Sequence, residues 1–285
     1  TRSAIEKSRR KVAELLEVAP AEIFFTSGGT ESNNTIIRSA ISRYGLKNAI
    51  TSPIEHHAVL HTLQHLEHDG LVNLHLLHLH ETGQVDLNHL EELLKSQGPA
   101  YVSLMHANNE IGNITDLGRV GALCSEYKAY LHSDMVQTFG HLSPGLHTNL
   151  IDAASASAHK FHGPKGTGLM FMRAEKQLNA LLIGGAQERN MRGGTENVAG
   201  IVGLARALEL TYEEHDTNQH HLAELKKYAI TNISSAILGV RFNGLSSDFD
   251  QSLHKILSLA ILGIEDNDML LFNLDIQGIA VSGGS

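Results

Sequence analysis

Short apolar runs alternate with amphipathic stretches along most of this chain. Runs of apolar and β-branched residues predict strands at 22–26, 49–51, 71–79, 101–105 and 130–134, with a further strand of small residues from 153. Between them, apolar residues at helical spacing predict helices at 5–16, 34–41, 58–66, 87–94 and 117–127. Strands that alternate with helices are typical of βαβ units. The pattern therefore predicts an α/β fold with a largely parallel sheet flanked by helices on both faces.

The pattern changes after about residue 198. Two long helices are predicted at 198–212 and 222–237, and short strands at 240–242 and 279–281. We interpret residues 1–200 as a large domain and residues 201–285 as the start of a smaller α+β domain that the sequence leaves incomplete. The chain begins inside a helix and stops where a strand runs into a Gly/Ser turn, so we expect a longer polypeptide at both ends.

Composition narrows the classes of function. The 285 residues are 42% hydrophobic and 19% charged, which is ordinary for a globular protein and excludes disorder and coiled coil. The apolar runs are shorter than the roughly 20 residues of a membrane span. A net charge of -9 argues against a nucleic-acid partner. The single cysteine cannot form an internal disulfide, so we expect a reducing compartment, the cytosol or an organelle matrix, and choose a cytoplasmic location.

Residues 26–34 form the first of three segments that carry candidate chemistry. Ligands bind at the carboxyl ends of strands in open α/β sheets, and this segment joins a predicted strand to a helix. Gly28 and Gly29 let the backbone approach a ligand, the helix start offers unpaired N–H groups, and Thr30 adds a hydroxyl. The segment is typical of a phosphate cradle, although a Gly-Gly turn with a threonine cap explains it equally well.

The second and third segments carry a carboxylate and two lysines. Asp134 ends a predicted strand, where a buried carboxylate needs a cationic or protonated partner. Taken alone, however, an aspartate at this position is more typical of a helix cap than of a ligand-binding site. Lys160 follows a strand of small residues and is a candidate Schiff-base amine, because partial desolvation frees its lone pair. Lys165 lies in a Gly-Pro-Lys-Gly turn and is expected to face solvent. Either lysine alone is more typical of a surface residue.

Taken together, the three segments supply the parts of a pyridoxal 5′-phosphate (PLP) site: a phosphate cradle, a carboxylate for a protonated pyridine nitrogen, and an amine. Several strings of sequence also resemble the cysteine desulfurases of the NifS/IscS type. They cover nearly the whole chain in one order, at residues 26–34, 55–60, 105–112, 157–168, 184–195 and 281–285. The resemblance implies a PLP-dependent transferase of fold type I. Such an enzyme converts L-cysteine to L-alanine and passes sulfur, as a persulfide, to an iron–sulfur scaffold or another acceptor protein.

The resemblance also implies a role for each matching residue. Lys160 would form the Schiff base, Asp134 would pair with the pyridine nitrogen, and His56 would stack on the ring and move protons. Gln137 would bond the phenolic oxygen, with Asn109 beside it or facing the substrate carboxylate. The phosphate would be held by Gly29 and Thr30 of the cradle and by Ser157 and His159 of the third segment. In a homodimer, Thr195 would reach the phosphate of the neighbouring subunit.

The cysteine that accepts sulfur in this family follows a Ser-Gly-Gly-Ser type segment, and this sequence stops at Ser285, where that loop would begin. Cys124 lies within a predicted helix and is expected to be a buried structural thiol. Three alternatives stay open: a selenocysteine lyase, another PLP aminotransferase of the same fold type, or a non-catalytic scaffold without the nucleophilic cysteine. Fold alone does not separate them.

A histidine stripe marks the helix predicted around 55–69. His57, His61, His65 and His68 recur at steps of four, four and three, opposite the apolar face of that helix. We expect the stripe to face solvent. Histidine pairs at this spacing can share a metal ion, but we predict no biological metal site.

Overall fold

A seven-stranded sheet forms the centre of the molecule. The fold was obtained as a computed structural model that describes residues 1–263 and 267–284. The strands of this sheet are β1 (Ile23–Thr26), β2 (Asn48–Thr51), β3 (Asn73–Leu76), β4 (Ala100–Ser103), β5 (Tyr130–Asp134), β6 (Ala153–Ser157) and β7 (Gly168–Met172). Their spatial order is β1-β7-β6-β5-β4-β2-β3.

Most neighbouring strands run parallel, which confirms the predicted largely parallel sheet. The pairs β2–β3, β2–β4, β4–β5 and β5–β6 are parallel, whereas β7 is antiparallel to both β6 and β1. Strand β7 was not predicted. It returns directly after the turn that contains Lys165, and so completes an antiparallel hairpin with β6 inside an otherwise parallel sheet.

Helices cover both faces of the sheet, as predicted. They are α1 (Arg2–Leu15), α2 (Gly29–Tyr44), α3 (His57–His68), α4 (Leu87–Gln97), α5 (Leu117–Glu126), α6 (Val198–Glu213), α7 (His215–Ala236) and α8 (Asn267–Ile276). Side chains of Asp86, Asp116 and Asn197 accept backbone N–H bonds at the starts of α4, α5 and α6, which explains where these helices begin. No helix in the described part of the chain is long and apolar enough to cross a membrane.

Two apolar layers lie on either side of the sheet. Helices α2 and α3 bury Ile36, Ile37 and Leu63 on one face. The opposite layer contains Val12 of α1 and Leu204 of α6, together with residues of α4 and α5. Strands β1, β4, β5, β6 and β7 are buried at every position, because they are covered from both sides. The carboxyl end of β5 therefore lies deep in the molecule.

The carboxyl-terminal part differs most from expectation. A two-stranded antiparallel sheet joins β8 (Val240–Phe242) to β9 (Leu259–Ile261), and the strand predicted at 279–281 is wrong. Ile279 and Val281 are half exposed, and β-branched residues without a partner strand do not form one. Helix α7 begins at His215, earlier than predicted, and the strand predicted at 71–79 is limited to 73–76. The domain division at residue 200 stays a prediction.

Candidate active site

Loops at the carboxyl ends of several strands surround one cavity of ≈ 680 Å³. The structure brings nearly all the residues predicted for the site to the wall of this cavity. They are Gly29, Thr30, His56, Asn109, Asp134, Gln137, Ser157, His159 and Lys160. They come from separate loops, so the parallel sheet has gathered segments that are distant in sequence. Thr195 is the exception among the predicted residues.

The amino end of α2 forms an anion-binding corner of the cavity. The first N–H groups of a helix have no partner within it, and the helix dipole favours negative charge there. A Cβ on Gly29 would lie 2.7 Å from Cγ2 of Val136, so any side chain here requires Val136 to shift. Opposite it, Ser157 Oγ lies 2.9 Å from His159 Nδ1. Partial burial and the charges of Lys160 and Lys165 lower the pKa of His159. The corner matches the donor set of a phosphate group.

Asp134 is a buried carboxyl group on the cavity wall. It is only 4% exposed, its Oδ1 accepts the Val136 N–H at 2.9 Å, and its Oδ2 accepts the Asn33 amide at 2.7 Å. Burial raises the pKa of Asp134, while these two hydrogen bonds and the charge of His56 act in the opposite direction. A buried carboxylate of this kind is stabilised by a bound cation. The protonated nitrogen of a pyridine ring fits that need.

Lys160 lies on a short 3-10 helix, Ala158–Phe161, directly after β6. Its side chain is exposed on the cavity wall, and its backbone carbonyl accepts a hydrogen bond from His141 Nε2 at 2.9 Å. Because a carbonyl oxygen can only accept, His141 carries its proton on Nε2. The backbone below the amine is therefore fixed while the side chain stays free to reach into the cavity.

Lys255 is a second lysine near this amine that the sequence analysis missed. Burial and the charge of Lys160 together lower the pKa of Lys255 to about 7. The segment is held there by backbone hydrogen bonds from Ile114 to Gln251 and from Leu253 to Gly112, each 2.9 Å long. No local sequence pattern marks Lys255, because it approaches Lys160 only through the pairing of residues 112–114 with residues 251–253.

His56 is the N-cap residue of helix α3 and lines the cavity. Its Nδ1 accepts the Ala58 N–H at 3.1 Å, so the neutral ring carries its proton on Nε2. The side chain is exposed. His56 thus combines an oriented ring with an Nε2–H that has no hydrogen-bond partner among the described residues, which is suitable for stacking and proton transfer. Nearby, Asn109 donates to Glu110 Oε1 at 2.7 Å.

Thr195 does not line this cavity. At the end of the 184–195 loop it lines an adjoining space of ≈ 110 Å³, which shares Ser27 and Gly166 with the cavity. Buried charges anchor this loop. Glu188 pairs with both terminal nitrogens of Arg9 at 2.8 Å and accepts the Phe25 N–H at 2.8 Å. Arg192 pairs with Glu31 of helix α2 at 2.9 Å. The loop is therefore fixed to β1, α1 and α2.

Glu55 is a buried carboxyl beside the cavity that the sequence analysis also missed. Its Oε1 accepts from the Met105 N–H at 2.9 Å and from Ser52 Oγ at 3.2 Å. Its Oε2 has no hydrogen-bond partner within the described residues. Burial is the main cause that raises the pKa of Glu55 to about 8, and the charge of Asp134 adds to it. Glu55 is therefore mostly protonated at neutral pH.

Glu55→Gln is expected to flatten the pH dependence of stability. The folded carboxyl keeps its proton up to about pH 8, whereas an unfolded one loses it near 4.5. The folded state therefore binds more protons in this window, and wild-type stability falls as pH rises from about 4.5 to 8. A neutral amide has no such loss, so the variant should gain about 3.5 kcal/mol over the wild type between pH 5 and pH 8, at about 1.4 kcal/mol per pH unit. Urea unfolding of both proteins at pH 5 and pH 8 measures this difference. If the stability of the variant and that of the wild type changed equally with pH, the raised pKa of Glu55 would be contradicted.

The lone cysteine and the histidine stripe take no part in the cavity. Cys124 is buried at 1% exposure, and burial raises the pKa of its thiol far above the usual range, which agrees with a structural thiol. His57, His61, His65 and His68 are all exposed, as predicted. Among the residues that the structure describes, no group of three or more His, Cys, Asp or Glu side chains could hold a metal ion.

Comparison with known proteins agrees with this geometry. The family model described as "Aminotransferase class-V" matches residues 1–285. The cysteine desulfurase IscS of Dictyoglomus turgidum is 41% identical over 288 residues, which cover 100% of this chain and 71% of that protein. A solved NifS-like protein superposes with a TM-score of 0.92 at 37% identity, over 99% of this chain and 76% of the other. The structure titled "SspA in complex with cysteine" superposes with a TM-score of 0.82 at 30% identity, over 99% and 78%.

The mixed sheet and its cavity define a PLP-dependent protein of fold type I, as the resemblance implied. The chain belongs to the aminotransferase class-V family, and within it to the cysteine desulfurases of the NifS/IscS type.

Proposed function

We propose that this protein is a PLP-dependent cysteine desulfurase that converts L-cysteine to L-alanine and transfers the sulfur. One observation carries the proposal: an anion-binding helix start, a buried carboxylate and a lysine amine face one cavity. When bound, PLP condenses with amines through its aldehyde and withdraws electrons from the bonds next to the nitrogen. The phosphate fits the start of α2 with Thr30, and the pyridine nitrogen fits Asp134.

The residues of the chain supply positioning and proton transfer. The N–H groups at the start of α2, with Ser157 and His159, would hold the phosphate. Asp134 would keep a proton on the ring nitrogen, because its burial makes an unpaired negative charge costly. Lys160 Nζ would anchor the cofactor and, once released, move a proton at the substrate Cα. His56 Nε2–H would donate a proton from the cavity wall.

The sulfur acceptor must be a group other than Cys124. A thiol transfers sulfur as its thiolate, and the buried Cys124 does not ionise at neutral pH. We propose that a cysteine thiolate other than Cys124 attacks the substrate sulfur, so that an S–S bond forms while the Cβ–S bond breaks and its electron pair stays with the alanine carbon. The resulting persulfide would pass its outer sulfur to an iron–sulfur scaffold or another acceptor protein in the cytoplasm. Labelled cysteine sulfur that never appears on a protein acceptor would contradict this part of the proposal.

A homodimer would explain the position of Thr195. This residue does not line the cavity of its own chain; it lies on an anchored loop and is free to contribute to the phosphate site of a neighbouring subunit. The exposed apolar residues Leu181, Leu182 and Ile183 precede that loop and suit a contact surface. Analytical ultracentrifugation of the holoenzyme should give twice the mass of one chain; a monomer at micromolar concentration would contradict it.

The full-length protein, purified with PLP, should release L-alanine from L-cysteine when a reducing thiol is present. Alanine should form without any added 2-oxo acid, because sulfur transfer needs no amino acceptor. A strict requirement for a 2-oxo acid would assign an aminotransferase instead. Strong preference for selenocysteine over cysteine in parallel assays would assign a selenocysteine lyase. PLP binding without turnover of any of these substrates would indicate a scaffold.

A further inference from the structure

The carboxylate at the base of the cavity is held by a side chain that the sequence analysis did not single out. Asn33 lies on α2, one turn beyond the phosphate corner, and is 1% exposed. Its Nδ2 donates to Asp134 Oδ2 at 2.7 Å. Its Oδ1 accepts a short hydrogen bond from Ser155 Oγ, and Ser155 is fully buried. Asn33 also lines the cavity itself.

The chemistry of the three groups gives this chain of hydrogen bonds one direction. An ionised carboxylate can only accept, so the amide must present its NH₂ group to Asp134. The amide oxygen then faces Ser155, and the serine hydroxyl must donate to it. Protonation of Asp134 at Oδ2 would require the Asn33 amide to turn over and the Ser155 hydroxyl to give up its donation to Asn33 Oδ1. The arrangement therefore favours the ionised form of Asp134.

The same contacts fix the plane of the carboxylate. The Val136 N–H holds Oδ1 and Asn33 holds Oδ2, so rotation of the carboxylate would break a hydrogen bond. Ser155 is the direct cross-strand neighbour of Asp134 on β6, and its carbonyl accepts the Met135 N–H at 3.0 Å. Because Asn33 and the phosphate corner share one helix, α2 also sets the distance between the two ends of the site.

We propose that Asn33, oriented by Ser155, is a positioning residue that keeps Asp134 ionised and aimed at the pyridine nitrogen of the cofactor. The inference rests on the proposed function, because it requires PLP in this cavity. Two further titratable groups act on Asp134: the His56 ring from the start of α3 and the Glu55 carboxyl after β2. Both are unchanged in the variants below, so differences report on Asn33 and Ser155.

The test is the protonation of the cofactor itself. Apo protein is loaded with PLP labelled with ¹⁵N in the ring, and the ¹⁵N chemical shift is followed against pH. Asn33→Leu keeps the approximate volume but removes the donor. We expect its ring nitrogen to lose the proton at least about one pH unit below the wild-type midpoint, and the dissociation constant of PLP to rise about tenfold. Ser155→Ala should shift both in the same direction by a smaller amount.

Asn113→Leu is the matched control. Asn113 is also a buried amide with two hydrogen bonds, to the Thr82 carbonyl at 2.7 Å and from the Leu245 N–H at 2.8 Å, but it does not line the cavity. The Asn113→Leu variant should be less stable than the wild type. Its midpoint for loss of the ring-nitrogen proton and its dissociation constant for PLP should both stay within about twofold of the wild-type values.

A folded Asn33→Leu variant with a wild-type midpoint and PLP affinity would overturn the inference. If that variant does not fold, a Ser155→Ala variant with unchanged readouts overturns it, and a shifted one supports it. A wild-type protein that binds no PLP would overturn the proposed function, and this inference with it. The two failures are therefore distinguishable.

Discussion

Lys160→Ala is expected to abolish covalent attachment of PLP and to lower kcat/KM for L-cysteine by at least about 10³-fold. The reason is that the variant loses both the anchoring amine and the group that moves the Cα proton. The Lys160 side chain is exposed in the wild type, so its removal should change the unfolding free energy by less than about 0.5 kcal/mol. The visible absorption band shows attachment directly. Borohydride reduction followed by peptide mass spectrometry identifies the labelled lysine.

Lys165→Ala is the matched control for this experiment. Lys165 lies five positions further along, lines the same cavity and is equally exposed, but it stands in the turn before β7. This variant should keep the visible band and carry the borohydride label at position 160. A label on Lys165 in the wild type, or a normal band in Lys160→Ala, would show that the anchoring amine is assigned wrongly.

Glu188→Ala is expected to lower the unfolding free energy by about 3–5 kcal/mol. The substitution leaves the Arg9 guanidinium, only 2% exposed, without its buried partner, and it also removes the acceptor of the Phe25 N–H. Buried charges that lose their partner are far more costly than exposed ones. Urea denaturation followed by circular dichroism measures the change. The 184–195 loop should also become more sensitive to proteolysis, because Glu188 is its main anchor.

Glu6→Ala provides the comparison on the same arginine. Glu6 contacts Arg9 at 3.3 Å, but its side chain is 45% exposed, so its removal should lower stability by less than about 1 kcal/mol. Equal losses in the two variants would mean that burial of the Glu188 pair has no special energetic weight. A large loss at Glu188 alone supports the anchoring role of the pair.

Local patterns predicted the elements that are regular and well covered. Strand β5 has the predicted bounds, and all five of its positions are buried although three of them are polar. The short run at 279–281 looked similar, yet it forms no strand, because a strand also needs a neighbour. Strand β7 was overlooked although its sequence is an apolar run and its hairpin with β6 is local; its second pairing, with β1, joins segments far apart in the chain.

The candidate site divides in the same way. Glycines before a helix, an aspartate that ends a strand and a lysine after small residues marked Gly29, Asp134 and Lys160 in advance, and the structure places them on one cavity. The groups that support them carried no local signal. Asn33 lay within the 26–34 segment without an assigned role, and Glu55 was simply the residue before His56.

The sequence alone determined the βαβ order, the burial of the strands and the loops in which the chemistry lies, because periodicity and glycine positions act over a few residues. Only the tertiary structure decided which polar groups meet. Asn33 reaches Asp134 across 101 positions and Arg9 reaches Glu188 across 179. Such pairs form where packed elements cross. They cannot be predicted from hydrophobic periodicity, because periodicity indicates which face of an element is buried but not which other element covers that face.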